Sequence, residues 1–289
     1  MTKKCSIDYG GQALIEGVMM KSKTHYAMAV RKPDNKISVK VEKLKLLKKG
    51  IVTWPFIRGV VTLFEMLVIG IKALSYSANE SIGEEEEKLS SWQVFGTILF
   101  SLLLAILLFI LLPFWLTKIF IADRGFMFDL VDGLLRVIFF LVYIAGISMM
   151  KDIRRIFEYH GAEHMTVHCY ESGKKLTVQN VKKFGTAHPR CGTTFILLFL
   201  MISILVFTVV RTDQVWMRFA ARIVLLPVIA GISYEILRIL GKFKHSIISR
   251  ILSWPGMMLQ KMTTRQPDAK QIEVAIRSLQ ALIKGSGSK

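Results

Sequence analysis

The chain has 289 residues, 52% of them hydrophobic, with a mean hydropathy of +0.45 and a net charge of +18. That is too apolar for an ordinary soluble domain, and the apolar residues fall in long blocks, as in a membrane protein. A basic excess can mark a nucleic-acid binder, but here it collects beside the apolar blocks with no aromatic–basic module, so no nucleic-acid partner is expected.

Residues 1–50 read as a cytoplasmic N-terminal segment. Their start lacks the apolar core of a cleavable signal peptide. The stretch GGQALIEGVMMKS carries Gly10, Gly11 and Gly17, which suit turns or close backbone approach. The runs HYAMAVRK and KISVKVEKL alternate in polarity around PDN, which predicts a β-hairpin. In residues 51–77, Arg58, Glu65 and Lys72 recur every seven residues and so share one helix face. That pattern predicts an amphipathic or re-entrant helix. The acidic run Glu84–Glu87 reads as a solvated link to the membrane domain.

Residues 93–240 contain four candidate spans: Val94–Phe120, Val131–Met150, Thr193–Val210 and Phe219–Leu240. Each approaches or exceeds the roughly 20 apolar residues that a bilayer core needs. Pro113 should kink the first. Arg136 lies near enough to the start of the second to snorkel outward. Lys and Arg number twelve in residues 1–50, eight in 151–192 and nine in 241–289, and are sparse in the connections between. The positive-inside bias therefore puts both termini and the 151–192 loop in the cytoplasm. Cys5, Cys169 and Cys191 all fall on that reducing side, so no disulfide is expected. The C-terminal tail, 241–289, contains PDAKQIEVAIRSLQALIK, a helical pattern that should dock on the cytoplasmic face, and ends in GSGSK. The expected fold is mainly α: a polytopic bundle of about four transmembrane helices with a small N-terminal β-hairpin.

Three of the six histidines lie in EYHGAEHMTVHCYE, residues 158–171. On a helix at about 100° per residue, His160, Glu163, His164, His168 and Glu171 fall within about 140° of arc. Histidines at i and i+4 can reach one ion. His160-x-x-Glu163-His164 also matches a pattern in which two histidines hold zinc and the glutamate polarises a water. The stretch AHPRCGTT brings His188 and Cys191 to the same membrane boundary, just before the third span. The candidate metal ligands are therefore His160, His164, His168, His188 and Cys191, with Glu163 as catalytic base. A divalent ion is expected, zinc in the first instance, because imidazole ligands suit it. A histidine-rich surface helix is the bland alternative, and a β reading of MTVHCYE would carry His168 away from the other two. His25 and His245 read as ordinary.

Together, GGQALIEGVMMKS, HGAEHMTVHCYE and HPRCGTTF resemble the YqhQ-like family of bacterial multispan membrane proteins, which are described as metal-dependent enzymes without an assigned reaction. The resemblance runs from Gly10 to the fourth span. It implies a bacterial inner (cytoplasmic) membrane and carries over His160, Glu163, His164 and His188. Met165 stands where a basic residue is expected, which puts no ligand in doubt. Gln12 and Glu16 are expected to pack against the histidine loop. Two functions are then in view. One is a hydrolase at the cytoplasmic membrane interface, acting on a lipid or a membrane-protein segment. The other is a scaffold or assembly factor whose metal is structural, closed by four protein ligands. A transporter would need polar residues in mid-membrane, and the first and third spans have almost none.

Overall fold

The computed structural model describes residues 9–44, 50–82, 90–121, 125–210, 214–243 and 246–286; Cys5, the run Glu84–Glu87 and His245 lie outside them. Strands β1 (Gly10–Leu14), β2 (Gly17–Lys21), β3 (His25–Arg31) and β4 (Ile37–Lys43) form one antiparallel sheet in that order. The expected hairpin is β3–β4, with Arg31 opposite Ile37 across the PDN turn. The glycine-rich lead supplies a second hairpin, β1–β2, which reverses at Ile15 and Glu16 with Glu16 at φ 51°. Alternation gives the sheet two apolar faces. Val18, Met20, Ala27 and Ala29 face one core. Leu14, Met19, Tyr26 and Met28 face another.

A short 3-10 turn (Gly50–Thr53) leads into α1 (Ile57–Ser81). Ile69 and Ala73 of α1 cover the second face of the sheet. Two of the three helix charges point into the protein: Glu65 meets Lys21 at 2.8 Å and Arg58 pairs with Glu235, while Lys72 is exposed. On another side Phe64 and Leu67 are 66% and 59% exposed. Helix α1 therefore holds charged pairs on one side and exposes large apolar side chains on another.

Helix α2 (Ser91–Ile106) starts with a capping box between Ser90 and Gln93. It runs through a π turn (Leu107–Leu111) into α3 (Leu112–Phe120). Pro113 cannot donate an N–H, and the π turn just before it absorbs the break. Helix α4 (Phe126–Ile147) returns. Helix α5 (Lys151–Glu171) and the single turn α6 (Val178–Val181) then form the histidine loop region. Helices α7 (Gly192–Val209) and α8 (Val215–Lys242) complete the membrane part. Four segments are long and apolar enough to cross a membrane: Ser91–Phe120, Phe126–Ile147, Gly192–Val209 and Ala220–Lys242.

Arg136 does not snorkel as expected. Its side chain is only 12% exposed and lies 3.0 Å from buried Asp132, which also meets Arg222 of α8 at 2.7 Å; Asp129 lies 3.4 Å from Arg222. The Arg222 guanidinium sits over the rings of Phe114 and Phe207. Mutual pairing makes these charges tolerable in an apolar bundle. The network ties α4 to α8 at the end remote from the sheet.

Two further helices follow the membrane part. Helix α9 (Ile247–Thr263) is amphipathic in the inverse sense. Ser249, Ser253, Gly256, Gln260 and Thr263 are buried, whereas Ile247, Ile248, Ile251, Leu252 and Trp254 are exposed. A polar face inside and an apolar face outside suit a helix lying against lipid. Helix α10 (Ala269–Gly285) begins at a capping box between Asp268 and Gln271. Its Ile272, Ala275, Leu279 and Leu282 are fully buried in the core shared with the sheet and α5. The C-terminal helix thus completes the core shared by the sheet and α5.

Candidate metal centre

Helix α5 is helical throughout, so the β alternative for MTVHCYE is excluded. Its apolar residues Tyr159, Ala162 and Met165 are fully buried against the sheet and α10. That packing fixes the rotation of the helix and turns His160, His164 and His168 toward the loop before α7. The loop brings up His188 and Cys191. The rings form a row: His160 and His164 have centroids 4.4 Å apart, His164 and His188 5.7 Å, and His168 and His188 4.5 Å.

All five expected ligands gather, but in two groups. His160, His164 and Cys191 can offer donor atoms within 4.8 Å of one another; so can His168, Glu171 and His188. The hydrogen bonds separate their roles. His160 donates Nδ1–H to the carbonyl of Thr263 at 2.8 Å and turns Nε2 to Cys191 Sγ at 3.2 Å. His164 donates Nδ1–H to the carbonyl of Thr186 at 2.6 Å, which likewise leaves its Nε2 with a lone pair. A second-nitrogen bond to a carbonyl is what fixes the tautomer and ring angle of a metal-binding histidine. In the other group, His168 donates Nε2–H to the Ala187 carbonyl at 2.9 Å, and Glu171 is paired with Arg190. His188 Nδ1 accepts the Arg190 backbone N–H at 3.2 Å. His168, Glu171 and His188 thus brace the loop, and His160, His164 and Cys191 fit a metal better.

Cys191 is the N-cap of α7 and receives the N–H and hydroxyl of Thr193. Burial alone would raise its thiol, but the adjoining His164 ring and the donors of Thr193 bring it below the ordinary value. A thiolate at a helix N-terminus is a good soft ligand. Burial lowers His164, holding it neutral and able to coordinate.

Glu163 is 5% exposed, and its Oε2 has no hydrogen-bond partner among the described residues. Burial pushes its carboxyl up to about 8, against the opposing pulls of the His160 ring and the Gly11 N–H. Gly11 of β1 lies directly against this carboxyl, so the N-terminal sheet does reach the histidine helix. Glu16 pairs with Arg155 and accepts the Tyr159 hydroxyl at 3.1 Å. Gln12 instead packs on Gly70 of α1.

Sequence reasoning missed Gln260. It is fully buried, accepts the His188 N–H at 2.7 Å, and donates to the His188 carbonyl at 2.9 Å and to Thr194 Oγ1 at 3.1 Å. The visible signal is the spacing of Ser249, Ser253, Gly256, Gln260 and Thr263, a seam of small and polar residues on one helix face.

His160, Glu163, His164 and Cys191 all line one cavity of about 1050 Å³. It lies between the sheet, α1, α5 and the start of α7. Gly161 keeps the site closed on the opposite side. A Cβ there would run into the carbonyl of Arg265, whose N–H is bonded to the Phe157 carbonyl at 2.9 Å. Gly161→Ala should therefore destabilise the protein by about 1–3 kcal/mol, as overpacking usually does. It should also weaken metal binding by displacing the segment that holds His160. Thermal unfolding and metal titration of the purified variant check both effects.

Residues 54–285 match the family described as a protein of unknown function, DUF1385. A relative, the uncharacterized protein YqhQ of Bacillus subtilis (strain 168), is 34% identical over 297 aligned positions, covering 96% of this chain and 92% of that protein. No solved structure matches. With a family match over most of its length and a similar full-length relative, the chain belongs to the YqhQ-like DUF1385 family.

Proposed function

We propose that this protein is a metal-dependent hydrolase working at the cytoplasmic face of a bacterial inner membrane. One observation carries the reading: His160, His164 and Cys191 present two imidazole nitrogens and a thiol to one point on a cavity wall, with the buried carboxyl of Glu163 alongside. Three protein donors with a fourth position toward a cavity is the pattern of catalytic zinc, whereas structural zinc is closed by four. A divalent cation bound there would lower the pKa of a water to about 7 and polarise a substrate oxygen. The cation's charge would also draw the buried Glu163 carboxyl back toward its ionised form, so that it would take the proton from the attacking water and later return it to the leaving group. His160 and His164 are held in register by the Thr263 and Thr186 carbonyls.

A second reading has its own support. The three donors come from α5 and from the loop before α7, and the carbonyls that hold the histidines come from 186 and 263. An ion there would staple three segments of a scaffold protein. Glu163→Gln separates the two readings. The variant should keep its metal and its thermal stability under both, and should lose hydrolysis under the first, in an assay of the pure protein against lipid and peptide substrates. If Glu163→Gln loses the metal, the carboxyl is a ligand and the staple becomes the better account.

The orientation rests on the basic residues of 1–50, 151–192 and 241–289. A reporter active only in the cytoplasm should give signal when fused after Tyr170 and none when fused after Gly125. The reverse result would put the metal site on the outer face.

A further inference from the structure

The cavity beside the metal site has a charge pattern that hydrolysis does not need. Its wall carries Lys21, Lys23, Arg58, Arg190 and Arg238, against the carboxylates Glu65 and Glu163. Three of these cations have ion-pair partners: Lys21 with Glu65 at 2.8 Å, Arg58 with Glu235, and Arg190 with Glu171. Arg238 is different. It is exposed near the end of α8 and is felt electrostatically by Glu235, yet it forms no ion pair among the described residues.

Much of the remaining wall is apolar: Val61 and Met66 from α1, Ile156 and Phe157 from α5, and Ile196 from α7. Helix α1 carries this apolar surface round to Phe64 and Leu67, which are among its most exposed side chains. The cavity therefore joins a cationic rim to a hydrocarbon-like wall. It lies level with the start of α7 and the end of α8, the depth at which lipid headgroups sit if these helices span.

We propose that the cavity binds a single anionic amphiphile, a lipid with a phosphate headgroup, with the phosphate at the Arg238 rim and the acyl chain leaving along α1. Each half of this ligand answers one half of the wall. Inorganic phosphate would use the cations and leave the apolar wall wet. A zwitterionic lipid would bring its own cation to a rim that already has a surplus. Volume agrees, since about 1050 Å³ lies just above the usual range for small-molecule sites and exceeds what a bare anion needs. The inference rests on the hydrolase reading only for what would happen to the lipid; the binding itself needs no metal chemistry.

The test uses the full-length protein in neutral detergent and three probes: dioctanoyl phosphatidic acid, dioctanoyl phosphatidylcholine and inorganic phosphate, with binding followed calorimetrically. Phosphatidic acid should bind at least tenfold tighter than either of the others. Arg238→Gln, an exposed substitution that leaves the core intact, should cost about tenfold for phosphatidic acid and change phosphatidylcholine little. Equal binding of the two lipids, or of lipid and free phosphate, overturns the proposal, as does an Arg238→Gln variant that binds like wild type. Metal content is measured on the same samples. Selective lipid binding by a protein that never holds metal would sink the hydrolase reading and keep this one. Full metal content without lipid selectivity would do the opposite.

Discussion

Replacing His164 by alanine should empty the metal site. Purified wild-type protein is expected to hold about one divalent ion per chain, zinc in the first instance. His164 is 4% exposed, neutral, and fixed by the Thr186 carbonyl. Removing it deletes one of three protein donors and leaves a hole that water fills poorly. Changing an outer partner of a metal ligand already costs 10–100-fold in affinity; losing a ligand should cost more, enough to strip the ion during purification. His160→Ala should behave alike. His25→Ala is the control, because that ring bonds only to Thr24 Oγ1 at the edge of β3 among the described residues. Metal analysis by mass spectrometry reads all three. A His160/His164 double variant with full metal content would reduce α5 to a histidine-rich helix.

The second large effect is expected at Gln260, which touches no metal ligand atom of the favoured group. Gln260→Leu keeps the approximate volume and removes three buried hydrogen bonds. The His188 N–H would then be buried without its partner, at about 1–3 kcal/mol, and its carbonyl would keep only the Cys191 N–H at 3.3 Å. The loss should total several kcal/mol, a large fraction of ordinary domain stability. Because His188 is three residues before Cys191, metal affinity should fall with it. Gln260→Glu can still accept the His188 N–H but cannot donate to its carbonyl, so it should fall between the two. Chemical denaturation with matched metal titrations would rank the three proteins. A Gln260→Leu variant as stable as wild type would show that the loop is held by other contacts.

What the sequence made legible follows from period and length. The four spans were readable because nothing but a bilayer needs so many successive apolar residues. The histidine face was readable because 3.6-residue geometry puts positions 160, 164 and 168 on one arc, and α5 is indeed helical across them. The sorting of ligands was not. It depends on where the loop of residues 186–191 crosses α5, and that is set by Gln260, some seventy residues away. The β1–β2 hairpin was missed because its turn uses Ile15 and Glu16, where a turn rule looks for glycine or asparagine. The exposed apolar face of helix α9 was missed because periodicity shows two faces without saying which one is buried. Arg136 was misjudged because Asp132, one turn before it on the same helix, was not counted as its partner, and the tie from Asp132 to Arg222 becomes visible only when α4 and α8 pack.

X-ray absorption spectroscopy of the zinc-loaded protein tests the central claim most directly, because it counts the ligands that His160, His164 and Cys191 are said to supply. The expected spectrum is that of a four-coordinate ion with one sulfur at about 2.3 Å and nitrogen or oxygen neighbours at about 2.0–2.1 Å. In Cys191→Ser the sulfur should vanish from the first shell. A wild-type shell without sulfur, or a shell unchanged in Cys191→Ser, would contradict it.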